Sequence, residues 1–290
     1  LKSWEHLFVI WCRSRGNGVE AAVAHQTDSN PRAGGGWYSH YVLIVLMIVY
    51  IFNFIDRNIL SILAQDIKAD LGITDAEMGF LYGTVFAVFY AVFGIPLARF
   101  ADVWTRRSLI SIGLGFWSLM TAASGLARSF NVLAAFRIGV GIGEASASPS
   151  AYSMLADYYP PHMRATVIAI YAAGVYIGAG IGIFLGGYIL EWWATTYPVD
   201  PPFGLKGWQA AFMAVGIPGL LMAIWVRTLK EPVRGITEGI VTEKHPHPFR
   251  LLGEELLSVI PPFNLRLLIG HNKELRFNFI AAGGIALFAY

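Results

Sequence analysis

The chain has 290 residues, of which 56% are hydrophobic and 14% are charged, and its formal net charge is only +2. Soluble domains carry about 25% charged residues, so this composition predicts an integral membrane protein. The near-neutral charge, without a basic patch interleaved with aromatic residues, argues against a nucleic-acid partner. A single cysteine excludes an intramolecular disulfide, and no Cys/His cluster has metal-ligand spacing, so we expect no metal and no cofactor. The sequence also has no hydrolase triad and no phosphate-binding loop, and we do not expect an enzyme.

Residues 1–40 are predicted to form a flexible cytoplasmic tail. Their apolar run at 7–12 is too short to cross a membrane. The stretch after it is rich in Gly, Asn, Ser and Pro and ends in three glycines at 34–36. No apolar core leads to a small-residue cleavage site, so we do not expect a signal peptide.

Six apolar runs follow, each with about the 20 residues that a helix needs to cross a bilayer at about 1.5 Å per residue. We therefore predict an all-α integral membrane fold whose first unit, 41–228, is a six-helix bundle. A seventh apolar run at 277–290 is expected to be a truncated seventh helix that opens a further bundle of the same protein. The six runs lie at 41–64, 78–98, 108–127, 132–156, 166–190 and 209–228.

The lysines and arginines are unevenly distributed between the two sides of the predicted membrane. The tail, the loop after the second span and the loop 229–276 carry most of them, whereas the other side has only Lys68, Arg128 and Lys206. Positive charge is retained in the cytoplasm, so the N-terminus and the long loop are predicted to be cytoplasmic. The expected location is the plasma (inner) membrane.

The loop 229–276 is the expected boundary between two domains, because it is the longest connection in the chain. Within it, residues 249–260 place leucines on one face, opposite Glu254 and Glu255. This pattern predicts an amphipathic helix that lies at the membrane surface.

The first and fourth spans carry ionisable residues, which cost about 2.5 to 3.5 kcal/mol each near the bilayer centre even on insertion scales. Asn53, Asp56 and Arg57 lie at i, i+3 and i+4 and share one face of the first span. Arg137 and Glu144 share a stripe of the fourth span. Two acids and two bases at similar depth predict pairing between these helices, with a carboxylate that can exchange an arginine for a proton. The alternative is a static network that only fixes helix packing.

The turn between the second and third spans places Asp102 four and five residues before Arg106 and Arg107. An acid at this turn can meet both arginines and the N-terminal end of a helix dipole. We therefore predict a conformational gate in this cytoplasmic loop. The alternative is simple retention of positive charge on the cytoplasmic side.

The fifth span has small residues at four-residue intervals along one face. Such spacing lets two helix backbones approach closely, which predicts a tight helix interface. The positions are Gly174, Gly178, Gly182 and Gly186.

Together these features resemble the N-terminal half of a major facilitator superfamily transporter. The loop signature of that superfamily, G-x-x-x-D-R-x-G-R-R/K, is similar to residues 98–107, which keep the acid and the final basic pair. The fourth-helix pattern R-x-x-Q-G-x-G is similar to residues 137–143, with Val140 in place of glutamine. The fifth-helix pattern G-x-x-x-G-P-x-x-G-G is similar to residues 178–187, without the proline.

Three further segments resemble the spinster-like branch of the superfamily: the Asp56-Arg57 pair, the RIGVGIGEA run with Glu144, and the ADYYPP segment at 156–161. This resemblance implies a complete protein of about twelve helices in two bundles that works by alternating access, with its C-terminal bundle missing from this chain. In eukaryotic members of the branch the cargo is a lysolipid or a sphingoid phosphate.

The leading hypothesis is a proton-coupled transporter of an amphipathic organic anion, with protons and membrane lipids as further partners. Asp56 and Glu144 would carry the proton. Substrate would be bound by Asn53, Arg57, Arg137, Tyr171 and Tyr176. Two alternatives stay open: a carrier of a small polar solute, such as a sugar acid or a drug-like compound, and a non-transporting scaffold or half-molecule.

Overall fold

The computed structural model describes residues 36–239 and 246–259, and within these ranges the chain is helical and has no β-strand. The all-α fold is therefore confirmed. The predicted tail up to residue 35 and the predicted seventh helix lie outside the described residues. The helices are α1 (Trp37–Leu71), α2 (Asp75–Val103), α3 (Arg106–Ser124), α4 (Phe130–Glu144), α5 (Ala147–Tyr158), α6 (Pro161–Thr196), α7 (Gly207–Arg227) and α8 (Pro248–Val259).

Four helices, α1, α2, α6 and α7, are long and apolar enough to cross a membrane. The third predicted span, α3, is less apolar because it carries buried hydroxyl groups; that of Ser111 donates to the carbonyl oxygen of Ala223 at 2.7 Å. The fourth predicted span is divided between α4 and α5. Pro149 explains the break after Ala145, because it has no N–H to donate to that carbonyl and its ring clashes with it.

The glycine face of α6 packs directly against α1. A Cβ added at Gly178 would lie 2.5 Å from the carbonyl oxygen of Ile51, and one at Gly182 would lie 3.0 Å from the Cα of Ile55. Gly174 and Gly186 also face α1, at Tyr50 and Ile62 among other residues. By contrast, a Cβ added at Gly180 would have no described neighbour within 4 Å. The four-residue spacing thus marks the line along which the two backbones meet.

Two apolar clusters fill the interior of the bundle, and they meet along α1. One contains Val49 and Trp117, and the other contains Ile55 and Trp208. The polar stripe of Asn53, Asp56 and Arg57 begins between Val49 and Ile55. The fold therefore places the polar stripe of α1 near the middle of the bundle.

The amphipathic helix α8 packs on the end of α2. The ring of Phe249 lies 5.5 Å from that of Phe100 and 5.4 Å from that of Trp104. An ion pair of 3.3 Å joins Arg99 and Glu255. The sequence predicted a helix at the membrane surface, and in the structure part of its apolar face is covered by α2. Phe100 on α2 and Trp104 directly after it provide this cover, which the sequence of α8 alone does not reveal.

Candidate functional site

Two ion pairs connect α1 and α4 in the middle of the bundle. Arg137 Nη1 lies 3.0 Å from Asp56 Oδ1, and Arg57 Nε lies 2.7 Å from Glu144 Oε2. Asp56, Arg137 and Glu144 are each 2% exposed or less. The structure therefore brings together the two acids and two bases that the sequence placed in one layer. Each acid pairs with the arginine of the other helix.

The Asp56 carboxylate is saturated with donors. One oxygen accepts from Arg137, and the other accepts from the hydroxyl group of Thr121 on α3. Sequence reasoning missed Thr121, although a polar residue within the third span was a usable signal. Both oxygens of this fully enclosed carboxylate are thus satisfied, which is the usual condition for keeping a charge buried.

Arg57 lies within a cage of aromatic rings. Its guanidinium carbon is 5.0 Å from the ring centre of Phe54, 4.7 Å from that of Phe86 and 4.8 Å from that of Tyr90. Cations are attracted to ring faces within about 6 Å. Sequence reasoning missed Phe86 and Tyr90, since aromatic residues at i and i+4 in an apolar span are ordinary packing residues. We call Phe54, Phe86, Tyr90 and the carboxylate of Glu144 the Arg57 cage.

Three buried polar atoms near these ion pairs have no hydrogen-bond partner within the described ranges. They are Asn53 Oδ1, Arg137 Nε and Glu144 Oε1. An unsatisfied buried polar group costs about 1 to 3 kcal/mol, so such groups need a role or a further partner. The site can therefore accept a donor at Glu144 or Asn53 and an acceptor at Arg137.

The two predicted substrate tyrosines of the fifth span lie in different environments. Tyr171 is buried and stacks on Tyr50 with ring centres 4.4 Å apart, and Tyr152 packs edge-on against it at 5.3 Å. Tyr176 is 83% exposed and lies outside this aromatic cluster. It comes two residues after Gly174, so it lies about 200° around the helix from the face that meets α1.

Arg106 is the centre of a second charged cluster, at the end of the bundle where α2 meets α3. Its side chain is fully buried, with Nη1 at 2.5 Å from Asp157 Oδ2 and Nε at 2.9 Å from Glu231 Oε1. The carboxylate of Glu231 also accepts the backbone N–H groups of Arg106 and Arg107, at 3.1 and 2.9 Å. Glu231 thus caps the N-terminus of α3, where a negative charge is stabilising.

Asp102 does not meet Arg106 or Arg107, which corrects the predicted pairing. Asp102 is exposed on the last turn of α2, and in the part of the chain that the structure describes neither arginine hydrogen-bonds to it. Asp157 and Glu231 take that place, because they come from α5 and from the segment after α7, which converge on the start of α3. The spacing of residues within one loop could not reveal these partners of Arg106, because Asp157 and Glu231 lie 51 and 125 residues further along the chain.

Arg234, in the same segment, ties the end of α2 to this cluster. Its Nη2 donates to the carbonyl oxygens of Ala101 and Trp104, at 2.8 and 2.9 Å. Burial lowers the pKa of Arg234 from its ordinary value, and the neighbouring Arg106 lowers it further. The guanidinium therefore satisfies two carbonyl groups at the C-terminal end of a helix, where positive charge is favoured.

The sequence pattern of the Major Facilitator Superfamily matches residues 46–290. The chain therefore belongs to the major facilitator superfamily, and it corresponds to the N-terminal half of that fold. It is a membrane protein related to transporters, and no relative reported below is named as an enzyme.

Within the superfamily the chain is similar to spinster proteins. It is 28% identical to Protein spinster of Drosophila melanogaster over 199 residues, covering 69% of this chain and 31% of that protein. A crystal structure of a bacterial homologue of the human lysosomal transporter Spinster, inward-facing and occupied, is 38% identical with a TM-score of 0.65. That match covers 70% of this chain and 46% of the other.

Other relatives have different names. An MFS-type efflux pump of Mycolicibacterium smegmatis is 31% identical over 179 residues, covering 62% of this chain and 39% of the pump. Proteins named as sugar-acid transporters, among them a hexuronate transporter of Bacillus subtilis, also match. The chain spans less than half the length of each of these relatives.

Proposed function

We propose that the protein containing this chain is a secondary active transporter that works by alternating access and couples cargo movement to protons. The observation that carries this proposal is the crossed arrangement of Asp56–Arg137 and Arg57–Glu144 between α1 and α4. Ionisable groups in a membrane domain are costly and mark ion or substrate pathways. A scaffold has no need of four such charges.

Asp56 and Glu144 are proposed to carry the coupling proton. Protonation of either carboxyl removes the negative charge that holds its arginine. The released arginine then attracts an anionic cargo, and cargo binding in turn favours the protonated acid. This reciprocal link would couple the proton gradient to transport.

The proposed cargo is an amphipathic organic anion, such as a lysolipid or a sphingoid phosphate. Arg57 and Arg137, with Asn53, would contact the anionic head group, and the ring cluster around Tyr171 would contact the apolar part. Similarity to spinster proteins supports this choice. The matches to sugar-acid transporters favour a second candidate, a small polar anion.

The cluster around Arg106 is proposed to act as a cytoplasmic gate, with Arg107 as its neighbour and Asp102 at its exposed edge. It joins α3 to α5 and to the segment that follows α7. A change in the tilt of these helices would have to break or exchange its ion pairs. The distribution of lysine and arginine supports a cytoplasmic position for this cluster and for the N-terminus, in a plasma (inner) membrane.

The test is uptake into liposomes by the full-length protein under an imposed pH gradient, with a lysolipid phosphate and a hexuronate as separate cargoes. Asp56→Asn should abolish gradient-driven accumulation and leave cargo binding measurable, because it removes the titrating group. Glu144→Gln should give an intermediate loss. Arg137→Ala should weaken binding itself.

Asp200→Asn, which changes an exposed acid in the loop after α6, is the matched control and should transport normally. If Asp56→Asn and Glu144→Gln both respond to the gradient as the wild type does, the charges are structural and the coupling proposal is wrong. Transport of the hexuronate and not of the lysolipid would support the second candidate cargo.

A further inference from the structure

The Arg57 cage has the composition of a binding site for an organic cation. Three ring faces surround the guanidinium at 4.7 to 5.0 Å, and a carboxylate oxygen lies 2.7 Å from Nε. Aromatic faces combined with a carboxylate are the usual means by which proteins recognise ammonium and guanidinium ligands. Here a side chain of the same protein, Arg57, occupies that position.

Arg57 is held less firmly than the other arginine of the site. Its side chain is 26% exposed, whereas that of Arg137 is 2% exposed and lies between Asp56 and the surrounding helices. The rings of the cage are themselves only partly buried. A guanidinium displaced from the cage can therefore reach the surface of the described bundle without crossing its packed interior.

The cage also has one acceptor that Arg57 does not use, and a second free acceptor lies on the same helix. Glu144 Oε1 has no hydrogen-bond partner in the described structure, and neither does Asn53 Oδ1 one helical turn before Arg57. A ligand with several N–H groups could donate to the spare oxygen of Glu144 as well as to Oε2. A quaternary ammonium ion, which has no N–H, could not.

We propose that the Arg57 cage is a subsite for an organic cation that carries N–H donors, such as a primary ammonium or a guanidinium group, and that Arg57 is its tethered occupant. A cationic ligand would compete with Arg57 for the three rings and for Glu144. This proposal adds a cationic group to the chemistry of the cargo, and it depends on the proposed function only for the route by which cargo reaches the cage.

The test removes the tethered occupant and supplies a free one. Purified full-length Arg57→Ala would be titrated with methylguanidinium chloride in detergent, and the thermal unfolding midpoint followed at constant ionic strength. Saturable stabilisation is expected, with an apparent Kd at least tenfold tighter than for the wild type, whose cage is filled. Tetramethylammonium should bind Arg57→Ala at least tenfold more weakly than methylguanidinium.

Two controls separate the cage from a general effect of the salt. Arg57→Ala/Glu144→Gln should lose the saturable stabilisation, because the cage then lacks its charge. Arg99→Ala, which removes an arginine from the exposed ion pair with Glu255 and leaves Arg57 in its cage, should respond to methylguanidinium as the wild type does. If Arg57→Ala does not fold, Arg57→Gln serves in its place, because it keeps a long polar side chain.

Absence of saturable binding to both Arg57 variants would overturn the proposal, and so would equal binding to the variant that lacks the Glu144 carboxylate. The measurement reports binding and stability without any transport. Its failure can therefore be distinguished from failure of the proton-coupling test.

Discussion

The two ion pairs that join α1 and α4 have similar geometry and different surroundings. Asp56–Arg137 is enclosed on all sides, and both oxygens of Asp56 have donors from neighbouring helices. Arg57–Glu144 has one fully buried member and one that is a quarter exposed, and Glu144 retains an unpartnered oxygen. One pair is closed, with a donor on each acid oxygen and only Arg137 Nε left without a partner, whereas the other is partly exposed and has an unused acceptor on its acid.

This difference matters because the strength of a buried ion pair depends on what replaces each partner when the pair breaks. If the closed pair breaks, a bare charge stays in the interior, which is strongly unfavourable. If the open pair breaks, water or a ligand can reach the carboxylate that is left behind. Arg57 can therefore leave its acid at lower cost, whereas Arg137 can leave Asp56 cheaply only when the Asp56 carboxyl is protonated.

The largest expected effect is that of Arg137→Ala. The substitution leaves the Asp56 carboxylate buried with Thr121 as its remaining donor, and breaking a buried pair in this way costs about 3 to 5 kcal/mol. The free energy of unfolding, measured with denaturant in detergent, should fall by that amount. A loss below about 1 kcal/mol would contradict the enclosure of Asp56, because only a solvated carboxylate tolerates removal of its partner at so small a cost.

Much of this site followed from the sequence, and the parts that did not have a common cause. Helical spacing placed Asp56 and Arg57 on one side of α1 and at the depth of Glu144. It could not predict which further helix each pair would face, because adjacent residues on a helix point about 100° apart and the rotation of each helix is set by its packing. In the structure Asp56 is turned toward α3, where Thr121 lies, and Arg57 toward α2.

The residues that sequence reasoning missed belong to helices without a charge pattern of their own. Phe86 and Tyr90 on α2 have the appearance of membrane packing residues, and Glu231 lies 125 residues from the arginine that it binds. Their roles arise from tertiary contact.

Arg57→Ala provides the direct contrast with Arg137→Ala. It removes one charge-assisted hydrogen bond and the ring contacts, but the vacated cage is open enough for water to solvate Glu144. The free energy of unfolding should therefore fall by about 1 to 3 kcal/mol, in the range for loss of a single charged hydrogen bond. The same denaturant measurement applies to both variants. Equal losses for the two would mean that the exposure of the Arg57 side chain has no energetic consequence.

The smallest expected effect is that of Thr121→Val, which tests whether saturation of Asp56 contributes to the closed pair. Valine keeps the shape of threonine and removes the hydroxyl donor, so one oxygen of a buried carboxylate loses a partner while Arg137 remains. The free energy of unfolding should fall by about 1.5 kcal/mol, the lower end of the range for one hydrogen bond to a charged group, because Arg137 still bonds to Asp56. Ser124→Ala is the matched control on the same helix, because its hydroxyl bonds the carbonyl oxygen of Met120 one turn away, and its loss should be smaller. If Thr121→Val lowers the free energy of unfolding no more than Ser124→Ala does, the Thr121 hydroxyl does not stabilise Asp56. The contrast between Asp56–Arg137 and Arg57–Glu144 would then depend on exposure alone.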